Sequence, residues 1–213
     1  MNTIAPLLSE VLRPQNLAEI TLPDNEIRFL EAMVASGSPM NLLFYGKPGS
    51  GKTSTAKIIL EAIDADFIEM NGSFNNGDKG MVKRIEGFAY TTSMTGRPKI
   101  CFIDEADYMP KAVQDPLRYI IERSSDNCRF LMTANGLSGL TPAIQSRCMP
   151  LCFDIQIRDR NAIIDRMSRQ YQVKLESLGY SFDQKKIYEI VSLHFPDFRK
   201  IANRFQMETF KAA

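Results

Sequence analysis

The sequence predicts an α/β protein, with five parallel strands in one sheet, flanking helices, and a small three-helix unit after the sheet. Three observations carry this. Short apolar runs alternate with longer segments of helical periodicity. A glycine-rich phosphate-binding pattern lies between the first apolar run and a helical segment. After about Asp154 the strand-like runs stop.

Taken in order, the strand candidates are 41–45, 65–70, 99–103, 129–133 and 149–153. Several are nearly all apolar, as strands covered on both faces require. Helices are expected at 52–63, 80–92 and 111–123, where Val113, Leu117, Ile120 and Ile121 recur at helical spacing. Beyond the sheet, 159–177, 183–194 and 197–211 read as three helices separated by turn residues such as Gly179 and Pro196. The expected division is a nucleotide-binding unit at 1–154 and a helical lid at 155–213. His194 and the aromatic residues around it are expected in the lid core, and Cys148 and Cys152 are expected to pack as small hydrophobes.

The composition narrows the function classes. A formal charge of +1 with 44% hydrophobic residues describes a folded domain without a global basic field, so any nucleic-acid contact has to come from a local patch. No apolar run is long enough to span a membrane, and the first residues have no signal-peptide pattern, so no membrane partner is expected and a cytoplasmic location is. Four cysteines without a CxxC, and a single histidine, argue against a disulfide framework and against zinc.

The chemistry concentrates at Gly46-Lys-Pro-Gly-Ser-Gly-Lys-Thr53, which fits GxxxxGK[ST]. Over Pro48, Gly49, Ser50, Gly51, Lys52, Thr53 and Ser54 the backbone can curl so that its N–H groups face a polyphosphate at a helix N-terminus. Lys52 supplies a cation for the β- and γ-phosphates, and Thr53 a hydroxyl for Mg²⁺. A second element is Ile100-Cys-Phe-Ile-Asp-Glu-Ala-Asp107, an apolar strand ending in carboxylates. Asp104 is expected to hold Mg²⁺ and Glu105 to polarise the attacking water, which points to ATP hydrolysis. Asp107 is expected to cap the following helix.

Together these segments resemble the AAA+ ATPases, and among them the sliding-clamp loaders, the phage type most of all. Arg13-Pro14 with Leu17 and Glu19 is similar to the box that holds the base and ribose. Val11-Leu12 stands where loaders usually have an aromatic residue, so Leu12 and Thr21 are expected to line the adenine pocket. Thr133-Ala-Asn135 resembles sensor 1, with Asn135 at the γ-phosphate or the water. Ser146-Arg147-Cys148 resembles the motif whose arginine enters the neighbouring subunit's site, and Phe195-Pro-Asp-Phe-Arg-Lys200 resembles sensor 2, with Arg199 reaching the nucleotide from the lid. Asn71-Gly-Ser73 and Asp126-Asn-Cys128 strengthen the phage likeness.

The resemblance implies an ATP hydrolase, working with ATP and Mg²⁺, that opens a ring clamp and loads it on primer–template DNA in replication. The implied partners are further copies of the chain, a distinct large subunit, the clamp and the DNA, in the cytoplasm of an infected bacterium if the phage type holds. Lys79, Lys83 and Arg84 are candidates for template phosphates, and Gln114 and Arg118, four apart on one helix face, for coupling DNA to the nucleotide site. Each of these charges reads equally as a solvated surface group. Two other readings are carried forward: a different AAA+ replication factor such as a helicase loader or initiator, and an ATP-binding switch with little hydrolysis. At 213 residues the sequence holds the two expected units, and the collar domain of clamp loaders is expected to be absent, with weak self-association as the consequence.

Overall fold

In the computed structural model residues 7–74 and 79–212 are described, with only the backbone for Lys79, Lys211 and Ala212. The chain opens with α1 (Leu8–Val11), a 3-10 turn at Leu17–Glu19 and α2 (Asp24–Ala35). Strand and helix then alternate through β1 (Leu42–Tyr45), α3 (Lys52–Ala62), β2 (Asp66–Asn71), α4 (Lys79–Ala89) and β3 (Lys99–Asp104). A 3-10 turn at Ala106–Tyr108 leads to α5 (Lys111–Arg123) and β4 (Arg129–Ala134), and another at Leu137–Gly139 leads to α6 (Pro142–Gln145) and β5 (Met149–Cys152). The last part is α7 (Ile157–Ser177), α8 (Gln184–His194) and α9 (Phe198–Ala212).

Among the described residues one parallel sheet of five strands is formed, in the order β2-β3-β4-β1-β5. The central strands β3 and β4 are buried along almost their whole length because helices cover both faces. One face packs under α4 and α5, with Val113, Leu117, Ile120 and Ile121 all buried as their spacing predicts. The other packs under α2 and α3 around Phe44, Phe102 and Phe153. A third core joins α7, α8 and α9 with Leu8 and Leu12 from the N-terminal segment. Phe195 and Phe198 pack against it, whereas Tyr188 is exposed and His194 is only half-buried outside the core cluster.

Two expectations change here. Of the cysteines on β5 and before it, Cys148 is buried but Cys152 is exposed, because β5 is an edge strand on which Leu151 alone is buried. The helix expected to reach residue 92 ends at Ala89, where Lys99, 6% exposed, folds under its last turn. Its Nζ donates to Phe88 O, to Thr91 O at 2.6 Å and to Thr91 Oγ1 at 2.7 Å, and lies 4.3 Å from the Phe88 ring centroid. A cation at the C-terminal end of a helix satisfies carbonyls that have no partner within it. Lys99→Met, which keeps the stem and removes these donors, is expected to cost about 1–2 kcal/mol, the lower part of the range for acceptors left unpaired because Thr91 is itself exposed, read as a lower midpoint in urea unfolding.

Candidate nucleotide site

The site forms where β1, β3 and β4 end on the same edge of the sheet. β1 has β4 on one side and β5 on the other, so its C-terminal end opens into the crevice where such sheets take ligands. A cleft of about 290 Å³ lies there, between the P-loop, the ends of β3 and β4, the N-terminal segment and the lid helices α7 and α9.

The loop 46–51 is shaped from both sides. Asp154 reaches back from beyond β5 to accept the Lys47 N–H at 2.9 Å. Gly49, at φ 78°, abuts the N-terminus of α9: a Cβ there would stand 2.5 Å from Asp197 Oδ1, and its carbonyl accepts the Phe198 N–H at 3.0 Å. Asp197 also accepts the Lys200 N–H at 3.1 Å, so it caps α9 as its position suggests, with Lys200 as its ion-pair partner.

Lys52 is 7% exposed, and its ammonium donates to Gly46 O at 2.7 Å, Lys47 O at 2.9 Å and Asn135 Oδ1 at 3.4 Å. Burial holds its pKa below the ordinary lysine value, opposed by the carboxylates of Asp107, Asp104 and Asp154. The Ser50 hydroxyl is buried without a hydrogen-bond partner among the described residues. A desolvated cation resting on backbone carbonyls, in a loop that also carries an unsatisfied hydroxyl, fits an anionic guest. Thr53 Oγ1 donates to Asp104 Oδ1 at 2.9 Å, and Thr133 donates to the same oxygen. These oxygen donors suit Mg²⁺, whose remaining ligands would be phosphate oxygens and water.

Glu105 follows Asp104 in a left-handed conformation, φ 53° and ψ 43°, with its N–H bonded to Thr133 Oγ1 at 3.0 Å. A non-glycine residue held at positive φ costs of order 1 kcal/mol and is typical of strained functional turns. Gly72 packs against it: a Cβ there would sit 2.4 Å from the Glu105 carbonyl oxygen, which gives the Asn71-Gly72-Ser73 segment a steric reason for its glycine. Asp107 does not cap α5, which starts after Pro110 without a side-chain cap. It lies in the 3-10 turn, where Oδ2 accepts the Asn135 N–H at 3.1 Å and Oδ1 is buried without a partner among the described residues. The carboxylate thus anchors the residue 28 positions away that touches Lys52.

Of the expected nucleotide contacts, Leu12, Arg13, Pro48, Gly49, Gly51, Lys52, Thr53, Ser54 and Arg199 line the cleft, as do Asp104, Glu105 and Asn135. Ser50 is buried and does not line it. Thr21 lies in a small adjoining recess shared with Leu12, Pro14 and Lys174. Tyr108, Tyr171, Phe198 and Ala202 also line the cleft; the helical spacing of Tyr171 and Ala202 marks them equally as core residues, and Tyr108, in a 3-10 turn, has no periodic signal.

Several expected residues stand apart. Arg147 is outside the cleft, with Nε 3.0 Å from Glu122 Oε1. Lys83 and Arg84 are exposed on α4, and for Lys79 the side chain lies outside the described residues. Gln114 is buried and bonded to Met109 O, Gly139 O and Thr141 N, each at 2.8 Å, whereas Arg118 stacks over Tyr119.

The lid is tied to the N-terminal segment by three consecutive turns of α7. Arg166 donates to Leu22 O at 2.6 Å, Gln170 to Ala18 O at 3.2 Å, and Lys174 to Arg13 O at 2.9 Å and Glu19 at 2.5 Å. Burial pushes the Glu19 pKa up, but Lys174 and the Gln15 N–H outweigh it, so the value falls below the ordinary 4.5. A carboxylate with a depressed folded pKa adds stability that is complete above 4.5 and is lost as pH falls through the lower folded value. Unfolding below pH 4.5 is therefore expected to be less steep in Glu19→Gln than in the parent chain, measured by urea midpoints against pH.

Residues 42–154, the span of the sheet from β1 to Asp154, match the model of the "ATPase family associated with various cellular activities (AAA)". This chain belongs to the AAA family of ATPases. As an AAA protein it is similar, at 32% identity over 212 residues and 94% of its length, to a replication factor C small subunit of Methanosarcina mazei, of which it spans 60%. To the sliding-clamp-loader large subunit of Escherichia phage RB69 it is 30% identical over 99% of its length, covering 67% of that protein. A solved structure of a Thermotoga maritima RuvB mutant superposes with a TM-score of 0.73 at 20% identity over 95% of this chain and 68% of RuvB, a likeness of fold. The chain spans about three fifths of the length of the archaeal relatives.

Proposed function

We propose that this AAA chain is an ATPase subunit of a sliding-clamp loader, which uses ATP binding and hydrolysis to place a ring clamp on primer–template DNA. The observation that carries the reading is the pairing of a complete phosphate-binding cleft with an arginine, Arg147, held at a turn outside it, in a chain whose likeness to a replication factor C small subunit covers both.

In the cleft, the P-loop N–H groups and Lys52 bind the polyphosphate, Lys52 exchanging its backbone carbonyls for the β- and γ-oxygens. Mg²⁺ held by Thr53 and Asp104 would supply positive charge against the β- and γ-phosphate oxygens. Glu105 accepts the proton of the attacking water, and Asn135, fixed through its backbone by Asp107, orients that water or the γ-phosphate. Arg13, Leu12 and Thr21 face the ribose and base, and Arg199 reaches the phosphates from α9. Arg147 serves the site of the adjoining subunit, where its fixed charge stabilises the transition state.

The division into a nucleotide-binding unit, 1–154, and a lid, 155–213, is supported by the separate core of α7–α9, with Leu8 and Leu12 crossing from the first unit into the second. Partners in this reading are further copies, a large subunit, the clamp and DNA in the cytoplasm, with Lys79, Lys83 and Arg84 toward template phosphates and Gln114 and Arg118 toward coupling. The phage type is supported by Asn71-Gly72-Ser73 and Asp126-Asn127-Cys128. The test is ATP turnover with the cognate subunits, before and after adding clamp and primed DNA. A rise of about tenfold or more is expected, and a flat rate would refute clamp loading.

A further inference from the structure

We infer that Glu122 is the positioning residue of Arg147, carried by α5 so that the arginine offered to a neighbour is held from the subunit's own ATP site. The inference rests on Arg147 acting in trans, as proposed above.

A guanidinium has five N–H donors, and here the carboxylate of Glu122 takes one edge of it, Nε at 3.0 Å and Nη2 on the same oxygen. Nη1 donates to Ala143 O at 2.5 Å and Ser146 Oγ at 3.3 Å. Among the described residues, one Nη2 N–H is left without a bond. With side chains 26% and 50% exposed, the pair lies open to solvent, where ion pairs add little to folding. Its effect is on orientation: a long, flexible side chain loses its rotamer freedom before the neighbour's nucleotide arrives.

The place of Glu122 also needs a reason. It sits in the last turn of α5, where the negative end of the helix dipole disfavours a carboxylate. The helix itself does not favour it there; Arg147 does.

The same helix leads back to the ATP site. Gln114 and Glu122 are eight residues apart, two turns and about 12 Å along the axis. Gln114 is bonded to Met109 O, just beyond the Glu105 turn, to Gly139 O, just beyond Asn135, and to Thr141 N, where α6 begins. α6 runs directly into Ser146-Arg147. α5 is therefore tied at one end to the segments that carry the water-activating and γ-phosphate residues, and at the other to the arginine used by the next subunit.

The test separates donor from acceptor. A chain with Lys52→Ala keeps its arginine but has no working site of its own; a chain with Arg147→Ala keeps its site but lends no arginine. Mixed together with the cognate large subunit, clamp and primed DNA, the pair turns over ATP through the donated Arg147. Adding Glu122→Ala to the donor is expected to lower turnover about tenfold with KM for ATP and donor melting temperature unchanged, and Glu122→Gln to fall between. Adding Glu122→Ala to the acceptor is expected to change nothing. Unchanged or faster turnover with the donor variant, or equal losses from donor and acceptor, would overturn the inference. If removing Arg147 from the donor as well leaves turnover unaffected, Arg147 does not act in trans, and the reading beneath the inference fails visibly and separately.

Discussion

Glu105→Gln is expected to lower ATP turnover by about three orders of magnitude while ATP affinity stays within about twofold, the signature of a lost general base in an intact binding site. The substitution keeps size and shape, exchanges one acceptor oxygen for an NH2 donor, and removes the charge that draws the proton from water. The geometry argues against a fold effect. What holds Glu105 in place is its backbone, through the Thr133 hydroxyl and the Gly72 approach, and neither depends on the carboxylate. Single-turnover hydrolysis alongside equilibrium ATP binding checks this. A variant that hydrolyses at the parent rate would mean the chain works as an ATP-binding switch whose slow turnover does not use this carboxylate.

Arg147→Ala is expected to have an effect of similar size in a different experiment. In the assembled complex turnover falls by about 10³-fold, the range for removing a trans arginine from a phosphoryl-transfer site. In the isolated chain ATP affinity is unchanged, because Arg147 lies outside the chain's own cleft and is paired with Glu122. The thermal midpoint is also expected to hold, since a partly exposed pair contributes roughly 0–1 kcal/mol. Turnover in the assembly against affinity in isolation separates a residue that works for the neighbour from one that works at home.

How much of this is legible in the sequence depends on how local each signal is. The five strands follow from apolar runs, and the phosphate loop from a pattern that needs only its own glycines, lysine and threonine, so both emerge where expected. Asp107 misleads because a carboxylate a few residues before a helix looks like a cap, while its actual partner, the Asn135 N–H, comes to it from another strand. Asp154 bracing Lys47 across 107 positions has no local signature either. Cys152 belongs inside if β5 is read as a covered strand; its position at the sheet edge is a property of strand order. Tyr171 and Phe198 carry the same spacing whether they face the lid core or the cleft, and only the packing of α7 and α9 over the P-loop tells which. Gln114 stands out in the sequence by its face of the helix, but its three backbone partners show it as a buried brace.

Equilibrium binding of a fluorescent ATP analogue to the parent chain and to Lys52→Ala, with and without Mg²⁺, tests whether the cleft holds ATP through Lys52. Saturable binding by the parent chain, tighter with Mg²⁺, is expected, with binding by the variant at least about a hundredfold weaker because a buried cation and its phosphate contacts are removed together. Equal affinities for the two chains would contradict that role of Lys52.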